Sequence, residues 1–327
     1  RLSPPLRAAY IVASNLINRS PDTRANARAL AQLDWVIVHE PFMTPTARHA
    51  DLVLPICTDL ERSDLVTSWG HDQHLFYSRQ ALAPAGEART DYWVFARLAE
   101  RLGFGAAYTE GRSEEEWIAR FLTARHLDVE GLERAGIMRQ DGEPRVALAE
   151  FRADPLAHPL PTPSGRIEIL NPQAEEVGLP AIPSFVEAGD GDGEHPLQLI
   201  TPHYKFRSNS CLDAVPWLQR LEPHAVWINP LDARARDIAD RDTVEVYNRR
   251  GTIRLPAKVT ARITPGVVCV YQGAWYRPGP DGVDEGGCAN VLTEHRESPT
   301  GGCATHSTWV EVRPSLAGAR SPRRNGA

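Results

Sequence analysis

Residues 35–55 read WVIVHEPFMTPTARHADLVLP. Two apolar, strand-like runs, residues 35–39 and 51–55, enclose a polar cluster of His39, Glu40, Thr44, Thr46, Arg48, His49 and Asp51. An α/β sheet offers a binding crevice in this way, with polar side chains gathered where its strands end. Thr44 before Pro45 reads as an N-cap followed by proline at the first helical position, so a short turn is predicted over 46–50, its free N–H groups facing the strand ends.

Working outward, residues 8–13 predict a first strand and 25–32 a short helix, and the strand-helix-strand spacing is that of a parallel sheet. Asn15, Asn18, Ser20 and Asp22 follow the first strand as His39 and Glu40 follow the second. Alone they are turn and cap formers; after a strand they become candidates for a strand-end site. Downstream, Phe95, Leu98, Ala99 and Leu102 mark one face of a helix over 92–102, stopped by Gly103. Ser113 and Glu116 form a capping box for a helix carrying Trp117, Ile118, Phe121 and Leu122. Both read as packing helices.

Residues 155–196 are rich in proline, glycine and acids, interrupted by a predicted strand at 165–169 that returns to an existing sheet. Residues 186–194 read as a linker, like a calcium loop in composition but without EF-hand spacing. Beyond it, short β-type runs recur at 197–201, 225–228, 243–248, 252–260 and 266–271, with one helix at 230–238. Closely spaced strands around one helix predict a closed or partly closed β-barrel.

The length of 327 residues suggests two domains and room for a third small one. A formal charge of −6 gives no broad attraction to nucleic acid or to an acidic membrane surface. The cysteines at 57, 211, 269, 288 and 303 are too scattered for a zinc pair or an iron-sulfur signature and read as core or loop thiols. No run of 18 apolar residues and no signal segment occurs, and a chain that starts at Arg1 and at once enters a strand reads as a piece of a longer protein. GxSxG, HExxH, GxxxxGK[ST] and GxGxxG patterns are lacking, which disfavours independent hydrolase chemistry.

Two later segments, TPHYKFRSNS (201–210) and GAWYRPGPDGVDEGGCANVLT (273–293), have neither helical nor strand periodicity. His203, Lys205 and Arg207 can neutralise phosphate oxygens, with Ser208, Asn209 and Ser210 as neutral donors. Trp275 and Tyr276 can cover a planar ring, and Asn290 and Thr293 can finish its hydrogen bonds, although a tryptophan there equally serves as a core plug. His295, Arg296 and His306 are further polar candidates. In the first half, Glu40 and Asp51 can accept from the amino and ring N–H groups of a guanine or pterin, while Thr44 and its following amides can hold a pyrophosphate. Together these groups suit one large polar ligand.

These motifs carry a family resemblance. HEPFMTPTARHADLVLP, TPHYKFRSNS and GAWYRPGPDGVDEGGCANVLTEHRESPTGG resemble, in order, the C-terminal half of the dimethyl sulfoxide reductase branch of the molybdopterin oxidoreductase family, and the likeness runs from residue 8 to 312. It implies an α/β parallel-sheet cofactor-binding domain followed by a six-stranded β-barrel of double-psi type. The expected divisions are 1–112 for the first domain, 113–190 for a helical and connecting segment, 191–315 for the barrel and 316–327 for a disordered tail. LPTPSGRIEI (160–169) resembles the segment between domains.

The resemblance implies molybdenum bound by two molybdopterin guanine dinucleotides. It assigns Asn15, His39, Glu40, Thr44 and Asp51 to the domain holding one dinucleotide, and His203, Arg207, Ser208, Trp275, Asn290 and Thr293 to the domain closing over the cofactor. A [4Fe-4S] cluster and the protein ligand to molybdenum are expected in an upstream half, so no catalytic or metal-binding residue is assigned here and the fragment alone is expected to be silent. For the whole protein, similar enzymes imply reduction of S- or N-oxides, an iron-sulfur electron-transfer subunit, a quinol-oxidising membrane anchor and export by the twin-arginine route. Rival readings are a relative acting on formate, nitrate, selenate, thiosulfate or polysulfide, a non-catalytic cofactor-binding protein, and a sugar- or nucleotide-binding barrel.

Overall fold

The computed structural model describes residues 4–67, 73–139, 146–182, 184–185, 191, 193–296 and 302–315. The expected tail, 316–327, and most of the expected linker lie outside the described residues. The chain forms two compact units, one of residues 1–54 with 187–327 and one of residues 55–186.

The first unit opens with β1 (Ala8–Val12), α1 (Leu16–Arg19), α2 (Thr23–Leu30), β2 (Trp35–Glu40) and β3 (Leu52–Pro55). β1 and β2 pair in parallel, Ala8 opposite Trp35 and Val12 opposite His39, and β2 lies in the middle of the three-stranded sheet. α2 begins where the Asp22 side chain, with its backbone in the left-handed region, caps the Ala25 amide. The turn after β2 is a single 3-10 turn, Ala47–His49, capped by the Thr44 hydroxyl accepting from the Ala47 amide at 3.2 Å.

The second unit contains β4 (Asp64–Thr67), β5 (His74–Ser78), α3 (Asp91–Arg101), α4 (Gly105–Thr109), α5 (Glu114–Ala124), α6 (Val129–Ala135) and β6 (Ile137–Arg139). The strands form an antiparallel sheet in the order β4-β5-β6, and Leu75, Leu122 and Leu132 form its small core. α3 and α5 occur where expected; the Ser113–Glu116 capping box closes on both sides, and Gly103 ends its helix region with φ near +86°.

The predicted strand at 165–169 does not form. The Thr162 hydroxyl donates to the Arg166 carbonyl and the Leu160 amide to the Gly165 carbonyl, which folds the segment into a turn. Ile167 and Ile169 remain exposed, so the alternation in RIEI reflects no buried sheet face.

The chain then returns to the first unit and closes a barrel. Its strands are β7 (Leu197–Ile200), β8 (Val226–Ile228), β9 (Thr243–Asn248), β10 (Gly251–Val259), β11 (Val267–Cys269) and β12 (Thr308–Pro314), in the closed order β10-β8-β11-β7-β12-β9. Five of the six lie where the β-type runs placed them; β12 was not among them. β9 and β10 form a tight antiparallel hairpin whose register sets Asn248 opposite Gly251. Along β10, Gly251, Ile253, Leu255 and Ala257 point inward, the two-residue period of a barrel wall. The helix expected at 230–238 is shorter, Pro230–Arg234, and a second one, Pro216–Leu221, accompanies it.

One continuous core joins the N-terminal strands to this barrel. Ile11, Ile17, Leu30, Val36 and Val38 belong to the same buried cluster as Leu197, Leu199, Val226, Ile228, Val244, Ile253 and Val310. Each fully buried aliphatic side chain contributes about 1.5–3 kcal/mol before the cost of ordering it. That shared core brings the two stretches of polar candidates, nearly two hundred residues apart in sequence, into a single unit.

Candidate functional site

The loop after β1 is fastened to the barrel by asparagine side chains. Asn15 Oδ1 accepts from the Thr46 hydroxyl at 2.8 Å, and Asn15 Nδ2 donates to the Ser210 hydroxyl at 3.2 Å. Asn18 is buried; its Nδ2 donates to the Ala274 carbonyl at 2.5 Å and its Oδ1 accepts from the Tyr276 amide at 3.1 Å. Asn290 Nδ2 donates to the Asn18 carbonyl at 2.8 Å, while Asn290 Oδ1 accepts from the buried Thr293 hydroxyl at 2.9 Å. The Asp22 amide donates to the Thr293 carbonyl. Thus Asn290 and Thr293, expected to finish a ligand's hydrogen bonds, spend their side chains on holding α1.

The strand-end cluster also differs from the sequence reading. The Thr46 amide donates to Asn15 Oδ1, Ala47 to the Thr44 hydroxyl, Arg48 to the Thr44 carbonyl and His49 to the Thr46 carbonyl. The amides offered to a pyrophosphate are therefore committed within the protein, because one 3-10 turn consumes its own donors. Asp51 Oδ2 accepts from the Val36 amide at 2.7 Å, at the start of β2, whereas Glu40 stands at its end. Four residues of strand separate those positions, roughly 13 Å, so the two carboxylates do not face one base edge.

Glu40 remains a candidate. Its carboxylate accepts from the Thr44 hydroxyl at 3.1 Å, and burial pushes its pKa up against that bond and one from the Phe42 amide. The neighbouring His39 is buried on the opposite face, with Nε2 2.8 Å from the Tyr10 hydroxyl.

In the barrel, Arg207 is the buried cation of the site. Its Nη1 donates to the Gln272 carbonyl at 3.3 Å and its Nη2 to His224 Nδ1 at 2.9 Å, its Nε lies 3.6 Å from Asp213, and its guanidinium covers the Tyr204 ring at 4.6 Å. His203 and Ser208 are exposed, and the His203 ring meets the Gln272 side-chain amide. Trp275 is fixed rather than free: its amide donates to Asp213 at 3.0 Å and its indole N–H to the Ser210 carbonyl at 2.7 Å.

Sequence reasoning did not name His224, Arg277 or Asp284. A cleft of about 240 Å³ lies over Tyr204, Phe206, Arg207, His224, Arg277 and Gly286. Arg277 presents a guanidinium with no hydrogen bond or ion pair among the described residues. Asp213 also lines this cleft, as does Glu222, which is held by both Lys205 and Lys258 at 2.9 Å. Those lysine hydrogen bonds keep the Glu222 carboxyl below its usual range. The lining holds two guanidiniums and two carboxylates, and the two lysines on Glu222 tip the balance, so a chain of net charge −6 carries a locally positive cleft. No sequence signal pointed to Arg277, since an arginine in a Pro-Gly loop reads as solvated.

His224 Nε2 donates to the Gly287 carbonyl at 2.9 Å, which leaves the Nδ1 lone pair to accept from Arg207. A Cβ on Gly287 would come within 2.8 Å of the imidazole, so glycine is required for this approach. Burial, then the Arg207 charge, pull the His224 pKa down to about 4. The unfolded imidazole titrates near ~6.5, so the protein should lose up to about 3 kcal/mol of stability as pH falls from about 6.5 through 4. Urea unfolding across that window checks this; His224→Gln, which has no proton to gain, should show a shallower decline than the parent.

Among the described residues, no group of three His, Cys, Asp or Glu side chains is placed to hold a metal ion, and no helix is long and apolar enough to cross a membrane.

Comparison with known proteins gives the following. Residues 3–101 match the family model described as molybdopterin oxidoreductase, and residues 197–309 match the molydopterin dinucleotide binding domain. The chain is 35% identical, over 95% of its length, to the dimethyl sulfoxide reductase of Haemophilus influenzae. It is 37% identical, over 89% of its length, to a trimethylamine-N-oxide reductase of the same organism. It spans 42% and 39% of those relatives. A biotin sulfoxide reductase of Cereibacter sphaeroides is 33% identical over 95% of this chain and 45% of the relative. Among solved structures, acetylene hydratase from Pelobacter acetylenicus matches with a TM-score of 0.78 at 22% identity, covering 95% of this chain and 44% of that one; this is a likeness of fold.

Proposed function

This chain belongs to the molybdopterin oxidoreductase family, and from that premise we propose that it is the cofactor-holding C-terminal part of a molybdenum-dependent reductase of S- or N-oxides, dimethyl sulfoxide foremost. The observation that carries the reading is the positive cleft with buried Arg207 at its floor and unpaired Arg277 at its mouth. Its donor set fits the pyrophosphate of a molybdopterin guanine dinucleotide. Arg207, Arg277, His203 and Ser208 would hold phosphate and sugar oxygens, and Glu40 would accept from the N–H groups of a ring. Asn15, Thr44, Asp51, Trp275, Asn290 and Thr293 act on the cofactor by shaping the loops that meet it, and His39 by filling the sheet face behind Glu40.

The bound molybdenum cofactor would supply two-electron redox chemistry, and the polypeptide orientation and electrostatics. Two electrons and two protons convert the oxide to sulfide or amine and one water. In the whole protein we place a [4Fe-4S] cluster and the molybdenum ligand in an upstream half, with electrons arriving from an iron-sulfur subunit and a quinol-oxidising membrane anchor. Export of the complex by the twin-arginine route belongs to the same proposal.

The test is the natively purified protein, assayed for intact mass, molybdenum, iron and guanine nucleotide, and for oxidation of a reduced viologen by dimethyl sulfoxide and trimethylamine N-oxide. We expect a longer chain with molybdenum, two guanine dinucleotides and activity on at least one oxide. A native chain of 36.2 kDa without molybdenum or pterin would sink the proposal.

A further inference from the structure

The second compact unit contains a cleft of its own, about 370 Å³, among β4, the start of α3, α4 and one face of α5. Glu114, Trp117, Ile118 and Phe121 of α5 line it at helical spacing. Tyr92 and Tyr108 stack on one another with centroids 5.9 Å apart. The Tyr92 hydroxyl donates to the Arg112 carbonyl at 2.6 Å and accepts from the Trp117 indole at 3.2 Å, so this wall is rigid.

The charges inside are unbalanced. Asp64 and Glu114 line the cleft with a single guanidinium, Arg62, and that one is bound to Asp64 at 2.6 Å and to Asp59 at 3.4 Å; Asp91 also lines it and is engaged in an interaction of its own. Nearby Arg112 and Arg120 lie over the Trp117 ring and pair with Glu110, so their charges are also engaged. Glu114 accepts one hydrogen bond, from the Thr90 hydroxyl to Oε1; its Oε2 has no partner among the described residues. Burial pushes this carboxyl's pKa up against the Thr90 hydrogen bond, with Glu115 and Asp64 adding to the rise and Arg62 opposing it, a direction that a bound cation would further oppose. The open aromatic surface is that of Tyr108, 38% exposed, and Phe121, 56% exposed.

An acidic floor with aromatic walls is the chemistry that recognises alkylated ammonium ions, and the volume is that of a small-molecule site, roughly 300–1,000 Å³. We propose that this cleft binds an organic ammonium ion, its charged head against Glu114 and its alkyl part against Tyr108 and Phe121. The inference is independent of the cofactor reading, since every residue it uses lies in the other unit.

Calorimetric titration of the purified protein with choline and with 3,3-dimethylbutan-1-ol, its uncharged isostere, tests it. Saturable choline binding is expected, with the isostere about tenfold weaker. Glu114→Gln, which keeps the size and an acceptor for Thr90, should weaken choline about tenfold and leave the isostere unchanged, and Tyr108→Ser should weaken both. Equal binding of the two probes, undiminished choline binding by Glu114→Gln, or no saturable binding because other protein already fills the cleft would each overturn the proposal. Guanine nucleotide content, measured on the same variants, should stay at the parent level, which separates this outcome from failure of the cofactor reading.

Discussion

Asp284→Ala is expected to lower the unfolding free energy by about 4 kcal/mol and, if the proposed function holds, to abolish retention of the dinucleotide. The Asp284 side chain is fully buried, and its carboxylate collects the amides of Arg277 at 2.6 Å, Gly286 at 3.1 Å and Cys288 at 2.6 Å. Its backbone is also bonded to β10, the amide to the Thr252 carbonyl and the carbonyl to the Arg254 amide. The loop from 277 to 288 is therefore wound around one carboxylate. Alanine would orphan one buried and two part-buried amides, at about 1–3 kcal/mol for the buried one and less for the others, partly offset by relief of the burial that pushes this carboxyl's pKa up. Arg277, Gly286 and the carbonyl of Gly287 would all be released, and with them the cleft. Asp284→Asn keeps an acceptor for two of the amides and turns an NH2 towards the third, so about half the loss is expected. Urea unfolding at neutral pH decides the matter: an unchanged midpoint for the alanine variant would remove Asp284 from this role.

Gly273→Ala should be as damaging, by about 3–5 kcal/mol, for a different reason. Gly273 has φ near +91°, and a Cβ there would sit 1.8 Å from the Asn209 carbonyl oxygen. Neither backbone can retreat cheaply. On one side the Gln272 carbonyl receives Arg207, and on the other the Trp275 indole reaches the Ser210 carbonyl. Gly266 provides the control, with φ near +80° and nothing within 4 Å of its added Cβ. Alanine at 266 should cost only the left-handed backbone penalty, about 1–2 kcal/mol. Melting curves that show equal losses for the two variants would refute the collision argument.

The barrel was legible because its strands alternate and are punctuated by Asn-Pro, Arg-Gly and Pro-Gly pairs, which are local signals. β12 (TWVEVRP) alternates equally well, but it ends in proline against a polar, basic run and so resembled the approach to a frayed end. None of β4, β5 and β6 was predicted: β4 begins among charges and β6 has only three residues, while RIEI at 166–169 offered a pattern with no sheet to receive it. The site was legible as a set of residue types and less so as roles. Asn18 and Asn290 are the kind of residue that contacts ligands or makes turns, and only their partners, more than 250 residues away in sequence, show that they fasten loops. Arg277 and Asp284 illustrate the converse, since one exposed and one buried charge look alike in a Pro-Gly-Asp loop.

The bond between Asn290 and Asn18 spans 272 residues, and that separation has a temporal meaning. At synthesis rates of about 5–20 residues per second, residue 290 leaves the ribosome roughly 15–50 s after residue 18. Loop closure over such a distance is slow to pay back its entropy, so α1 can be held early only through Thr46, whose hydroxyl accepts from the Ile17 amide and donates to Asn15 Oδ1, while the bonds of Asn18 must wait for the barrel. Throughout that interval the Asn18 side chain is hydrated and the crevice beside it stands open, which makes its closure one of the later events in the maturation of the chain.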